Sequence, residues 1–166
     1  MTADCVVTTP VGRVRIVEDA GAIAILAWSD APVSRPTTSL LHNAAEQLNT
    51  YFAGHRTAFE LPLAPAGTAH QKKVWAAMCA IPFGAVRTYG GLAAKIGSSA
   101  RAVGTACGKN PIPIIVPCHR IIAAGNSIGG YSGRGGVVTK RALLNLEGAY
   151  HNKQSSLDLE APEAGR

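Results

Sequence analysis

The chain has 166 residues, 47% of them hydrophobic and 16% charged, with a formal net charge of +6. That balance excludes bulk disorder, and the length suits one ordinary domain or two small ones. The longest apolar runs, at 22–28 and 112–116, fall far short of the ~20 residues a spanning helix needs. No basic segment followed by an apolar core opens the chain, so the expectation is a cytoplasmic protein with no membrane association.

In chain order, the first third reads as strands. Val6 to Thr9, a turn at Pro10–Gly12 and the alternating Arg13–Val17 predict a hairpin. Ala20-Gly21 is a second turn, and Ala22–Trp28 a third, more buried strand. A proline-bearing loop follows. From Ser39 the period becomes helical, with Leu40, Leu41, Ala44, Ala45, Leu48 and Phe52 on one face and Gly54 as the stop. Phe59–Leu63 is a short extended piece, and Pro62–Gly67 reads as a linker. This places an N-terminal domain at 1–66, a second domain at 67–148 and a polar tail at 149–166, expected to be partly disordered.

The second domain is predicted mostly helical. Thr68-Ala-His-Gln71 is a capping box, with Val74, Trp75 and Met78 on the apolar face behind it. Thr88 caps a helix over 89–96 that Gly97 closes, and Ser98 or Ser99 caps another over 100–108. Two helices joined by so short a turn form a helix-turn-helix, a unit that either binds DNA or only packs. The second of them, Arg101-Ala-Val-Gly104-Thr105-Ala-Cys-Gly108, is built almost wholly of small residues. Such a helix packs tightly on another, or lies against a duplex with Arg101 reaching in.

Charge is distributed unevenly. Residues 1–66 carry four arginines against six acids, whereas 67–150 carry ten basic residues against Glu147 alone, a local charge of +9. That is the footprint of a partner such as nucleic acid; its plain counterpart is a solvated basic surface, which the near absence of acids disfavours. The four cysteines, 5, 79, 107 and 118, have neither metal-ligand spacing nor an oxidising setting, so no metal and no disulfide framework is expected. Cys79 and Cys107 read as small buried hydrophobes and Cys5 as incidental.

Cys118 differs. Ile112–Val116 reads as a buried extended run between prolines, and Pro117 is followed at once by a thiol, an imidazole and a guanidinium. A neighbouring imidazole or cation lowers a thiol's pKa and makes it a nucleophile. A buried inert cysteine beside surface charges is the alternative, because neighbours in sequence need not face each other.

Asn110-Pro111, the Ile/Val run and Pro117-Cys118-His119-Arg120 resemble the active-site signature of the O6-alkylguanine-DNA alkyltransferases, and Arg101-Ala-Val-Gly104 resembles their recognition helix. Val74-Trp75, Ile81-Pro82-Phe-Gly84, Thr88-Tyr89, Gly130-Tyr131 and Lys140 to Glu147 fall in matching order. The N-terminal part is similar more loosely, best at Tyr51–Gly54. Three places depart from the family's pattern: His70 where Phe is common, the short Gly97–Ser99 turn, and extra residues in the loop 131–136.

The resemblance implies a mixed α/β and α+β fold. A three-stranded sheet with a helix would pack on a mainly helical, winged-helix-like domain whose helix-turn-helix enters the minor groove. It implies single-turnover transfer of an alkyl group from O6-methylguanine, and from O4-methylthymine, in duplex DNA to Cys118, without a cofactor. His119 would be a water-mediated base and Glu147 its orienting acid, the one acid available between Leu61 and Glu147. Asn110 would brace the turn, and Tyr89 would donate to the departing guanine. Arg101, Ala102, Gly104, Thr105, Thr88, Tyr89 and Arg120 would meet DNA, with Arg101 filling the gap left by the flipped nucleotide. Tyr131, Ser132, Gly133, Val116 and Pro117 would line the pocket. The protein is expected to be monomeric off DNA, with cooperative binding on DNA an open alternative.

Two other functions fit parts of the sequence. A lesion-binding alkyltransferase-like protein would lack the acceptor thiol, which is present here. A thiol hydrolase using Cys118 and His119 would leave the basic half unexplained.

Overall fold

The computed structural model describes residues Met1 to Ala149, so the predicted polar tail, apart from its first residue, lies outside the described residues. Two compact units emerge, Met1–Ala66 with Pro111–Pro113, and Gly67–Asn110 with Ile114 onward.

The first unit is an antiparallel sheet of β1 (Thr2–Thr9), β2 (Gly12–Asp19) and β3 (Ala22–Trp28), in that order, with helix α1 (Ser39–Phe52). The strands of the first hairpin are longer than the predicted arms. Thr2–Cys5 pair with Asp19–Ile16, and Asp4 is tied to Arg15 by an ion pair of 2.9 Å. Alternation puts Val14 and Ile16 of β2 into the core, and a register shift opposite Val17/Glu18 lets both Ile23 and Leu26 of β3 join them with Leu41, Ala44, Leu48 and Tyr51 of α1. Cys5 belongs to that core with no exposed surface, so it is a packing residue rather than an incidental one. Thr38 caps α1 by accepting from the Leu41 amide. The free edge of β3 is covered: Ile23 exchanges hydrogen bonds with Pro62 and Ala64, and the Leu26 amide donates to the Pro111 carbonyl at 2.9 Å. This last bond draws Pro111–Pro113 to the first unit.

The second unit contains α2 (Ala69–Cys79), β4 (Arg87–Thr88), α3 (Tyr89–Ile96), α4 (Ala100–Gly108), β5 (Ile121–Ile122) and α5 (Val137–Leu146). The capping box of α2 is complete: Thr68 accepts from the Gln71 amide, and Gln71 accepts from the Thr68 amide. Thr88 and Ser99 cap α3 and α4, and Gly97 ends α3 in the left-handed conformation that its φ of 71° requires. β4 and β5 form a two-residue parallel pair, Arg87↔Ile121 and Thr88↔Ile122. Ile122 of this pair forms a core cluster with Val86 and Leu144, with Ile128 and Ala149 packed against it.

Two expectations fail here. Cys79, at the end of α2, is exposed, because the buried stripe of that helix runs through Val74, Trp75 and Met78. The apolar run 112–116 is buried but is no strand. Residues 114 and 115 form a turn with Ile114 at φ 76°, so the chain doubles back before Cys118. An unbroken apolar run signals burial without fixing the backbone that achieves it.

Trp75 locks α2 to α4 through its indole N–H, which donates to the Ala106 carbonyl at 2.9 Å in a buried setting. Trp75→Phe keeps most of the ring and removes one of the two donors to that carbonyl, which still accepts from the Lys109 amide at 3.2 Å. It should lower the unfolding free energy by about 0.5–1.5 kcal/mol, read as a shifted urea midpoint with unchanged slope.

Candidate functional site

The site is assembled from several stretches of the second unit: Asn110 with the segment from Ile114 to Ile122, the loop before α5, α5 with its C-cap, and a wall given by α3 and α4. Cys118, His119 and Arg120 form one turn of 3-10 helix, all three buried. Proline at 117 fixes the entry, and the Cys118 amide donates back to Val116 at 2.8 Å. Asn110, just past the end of α4, donates its amide to the same Val116 carbonyl at 2.8 Å. Its side chain also hydrogen-bonds Cys118. One asparagine thus holds both the turn and the thiol.

Glu147 is the C-cap of α5, where a carboxylate opposes the helix dipole. Its reason for being there is visible: the fully buried carboxylate takes three charge-assisted bonds. His119 Nε2 donates to Oε2 at 2.8 Å, Arg120 Nε to Oε1 at 2.8 Å and Arg120 Nη2 to Oε2 at 3.0 Å. Arg120 spends its remaining face on the Ile81 carbonyl at 2.6 Å, with its guanidinium carbon 5.9 Å from the centre of the Phe83 ring.

The expectation that Arg120 meets DNA is therefore corrected. The guanidinium lies inside, neutralising Glu147, because a buried carboxylate needs a paired cation more than the surface needs another charge.

These bonds fix the histidine's tautomer. With Nε2–H donated to Glu147, the neutral ring presents a bare lone pair at Nδ1, and that buried atom has no hydrogen bond to the protein. Burial holds the imidazole pKa below its ordinary value. The Glu147 contact pulls it up, and the charges of Arg120 and Lys140 push it down again. The resting ring is neutral and able to accept a proton at Nδ1.

Cys118 is 6% exposed. Burial raises its thiol pKa, while the Asn110 hydrogen bond, the charge on Lys140 and its own backbone amide pull it down. Lys140, read from the sequence only as part of the family's matching order, is a further member of the site. It is fully buried, and its ammonium donates to the Ile121 carbonyl at 2.6 Å and the Gly130 carbonyl at 3.0 Å. Desolvation lowers its pKa to about 8 against the pull of Cys118 and Cys107. No local pattern announces it, since a lysine in an amphipathic helix reads as solvated.

Cys118 opens into a cavity of ≈ 210 Å³ lined also by Tyr89, Gly104, Cys107, Gly108, Gly130, Tyr131 and Ser132. Tyr131 and Ser132 are therefore where the sequence reading puts them. Val116, Pro117 and Gly133, expected in the wall, are not among its lining residues; the first two are buried. Their place is taken by the small-residue face of α4, whose glycines bring backbone against the cavity. A Cβ on Gly104 would sit 3.9 Å from the Tyr89 ring. Burial raises the Tyr89 hydroxyl pKa to about 12, with the two thiols adding to the rise, so it is a donor at neutral pH.

The other predicted DNA-facing residues divide. Arg101 and Thr105 are exposed and, with Ala102, line a shallower groove of ≈ 360 Å³ shared with Thr68, His70, Gln71, Ser99 and Ala106. Thr105 donates its hydroxyl to the Arg101 carbonyl at 3.1 Å. Thr88 is occupied as a cap, and Gly104 faces the thiol cavity. His70 reaches across the short turn after α3 to Ser98 Oγ at 2.8 Å.

A helix-turn-helix beside an enclosed cysteine followed by a histidine hydrogen-bonded to a buried glutamate defines the class. Comparisons with known proteins agree. Residues 69–149 match the 6-O-methylguanine DNA methyltransferase DNA binding domain, and residues 5–65 match that family's ribonuclease-like domain. A methylated-DNA–protein-cysteine methyltransferase of Mycobacterium bovis is 50% identical over 114 residues, 68% of each chain. The constitutive enzyme of that name from Bacillus subtilis is 40% identical over 151 residues, 84% of this chain and 91% of the relative. Among solved structures, the Mycobacterium tuberculosis O6-methylguanine methyltransferase superposes with a TM-score of 0.78 at 37% identity, covering 95% of this chain and 99% of that one. The same organism's protein in complex with DNA gives 0.77 at 39% identity, covering 87% and 92%. The chain belongs to the 6-O-methylguanine DNA methyltransferase family.

The buried imidazole has a consequence for stability. Below pH 6.5 the unfolded chain protonates His119 while the folded one resists, so stability should fall as pH drops through that value. The slope contributed by one group is at most about 1.4 kcal/mol per pH unit. His119→Gln, which still donates to Glu147, should flatten the dependence in urea titrations between about pH 5 and 7.5.

Glu147→Gln should cost about 3–5 kcal/mol, because it leaves a buried guanidinium without its anion. It should also shift the pH profile of Cys118 reactivity upward; superimposable profiles would separate Glu147 from the thiol.

Proposed function

We propose that this protein repairs DNA directly, moving the alkyl group of O6-methylguanine in duplex DNA, and of O4-methylthymine, onto Cys118 and restoring the base. The supporting observation is the enclosed thiol, set beside a neutral histidine whose free lone pair is fixed by a carboxylate, on the basic half of a chain of this family.

The steps balance without a cofactor. The Cys118 proton passes through a water to His119 Nδ1, and Glu147 stabilises the imidazolium that forms. The sulfur attacks the alkyl carbon, a C–S bond forms and the C–O6 bond breaks. The electron pair passes to the base, which regains a proton as Tyr89 donates toward it. The small wall of α4 admits the flipped nucleotide, and Arg101 fills the stack it leaves. Ala102 and Thr105 sit beside Arg101 at the duplex, and the Thr88 hydroxyl donates to a phosphate. The free protein is a cytoplasmic monomer.

A thioether is chemically inert, so each molecule acts once. Incubation with radiolabelled methylated duplex should label the protein to one equivalent and stop; a course running well past that would overturn the assignment. Cys118→Ala should abolish labelling while leaving DNA affinity nearly unchanged. Binding without labelling by the native chain would make it a lesion sensor instead.

The +9 half should make binding to unmodified duplex fall steeply and linearly on a log–log salt plot, as released counterions require. Arg101→Ala should weaken binding and slow transfer on duplex even at saturating protein. Unchanged saturating transfer would reduce Arg101 to a phosphate contact.

A further inference from the structure

Cys107 has no part in that reaction, yet it shares the cavity with Cys118. Both thiols are buried, at 8% and 6% exposure, and both face the same ≈ 210 Å³ space. Cys107 lies in the last turn of α4, and the chain continues through Gly108 and the non-helical cap Lys109, a join that gives its backbone latitude. Cys118 lies in a single 3-10 turn. A buried ammonium, Lys140, acts electrostatically on both sulfurs. The other two cysteines do not line this cavity: Cys5 is in the core of the first unit and Cys79 is exposed at the end of α2.

We propose that Cys107 and Cys118 form a dithiol modification site at which a hydroperoxide, hydrogen peroxide in the simplest case, converts the acceptor to an intramolecular disulfide. This deepens the reading above and rests on Cys118 being the nucleophile. The Cys118 thiolate attacks the peroxide, the O–O bond breaks, and with one proton taken up the products are a Cys118 sulfenic acid and water. The Cys107 thiol then attacks the sulfenic sulfur; an S–S bond forms and a second water leaves with the thiol's proton. The peroxide is reduced by two electrons and the thiol pair is oxidised by two.

Left alone, Cys107 is a poor nucleophile, its pKa held at about 12 by burial first and by the neighbouring Cys118 charge second. Sulfenic acid formation removes that neighbouring charge and leaves the Lys140 ammonium, which favours the Cys107 thiolate, while the thiol's proton departs with the leaving hydroxide as water. The second step is therefore favoured only after the first has occurred. The disulfide withholds the acceptor sulfur from DNA while protecting it from the sulfinic and sulfonic states that cannot be reversed.

The test uses the full chain with Cys79→Ser to suppress cross-links between molecules. After hydrogen peroxide, intact mass should fall by two hydrogen atoms. Tryptic digestion should then yield the 102–109 and 110–120 peptides joined through Cys107 and Cys118. Transfer to methylated DNA should be lost and then regained in full with dithiothreitol. In the Cys107→Ala and Cys107→Ser variants, each scored against its own untreated activity, the same exposure should add oxygen to Cys118, with a loss dithiothreitol does not reverse. Oxygen addition and irreversible loss in the parent protein, with no linked peptide, would overturn the proposal, whatever the variants do. Label transfer by the untreated protein is scored separately, so failure of the alkyl-transfer reading is distinguishable from failure of the disulfide.

Discussion

The second unit depends on one carboxylate. Glu147 has been taken out of water at the end of a helix whose dipole disfavours it, and it is tolerable there only because Arg120 grips both its oxygens and His119 donates to one. In the proposed transfer the same three groups set the chemistry. The pairing forces the histidine's proton onto Nε2, which leaves Nδ1 as the basic atom, and the guanidinium moderates how much negative charge the imidazole feels. Reactivity and structural integrity are thus exerted through the same bonds, which is why the charge on Glu147 and the shape around it are separable only by comparing variants.

Around this anchor the thiol is held by opposing influences. Burial makes ionisation of Cys118 harder, while Asn110, Lys140 and the backbone amide make it easier. Such a balance keeps a nucleophile protonated until a base is brought to bear on it. The lysine's position is informative in the same way. It has no carboxylate partner among the described ion pairs and is held by two carbonyls, so its charge is most nearly compensated when a thiolate is close by.

How much of this could be read beforehand follows from the range of the interactions. Helices α3 and α4, and the start of α2, were legible to the residue because those ends are written locally: the Thr68/Gln71 box, the Thr88 and Ser99 caps and the glycine at 97 each act within a few positions. Cys118, His119 and Glu147 were legible through the family resemblance and through the scarcity of acids. Arg120 was misread because its partner is 27 positions away and nothing nearby marks it as buried. The length of β1 was underestimated because Thr2–Cys5 owe their extended form to pairing with β2 rather than to their own alternation. The run 112–116 advertised burial and concealed a turn at Ile114. Cys107 and the glycines of α4 were read as packing or DNA-facing positions; only the folded chain shows them as the wall of the thiol cavity.

The distance along the chain between Arg120 and Glu147 also constrains how the protein is made. Until residue 147 has been synthesised, every nascent chain carries a guanidinium and an imidazole that cannot leave water without large cost. The turn bearing Cys118 can therefore close only after α5 has formed and its final residue has arrived, long after the helices of 69–108 are available to fold. A chain that ends within α5 lacks Glu147 and leaves both groups without their anion. The surroundings of Cys118 are complete only once residue 147 is in place.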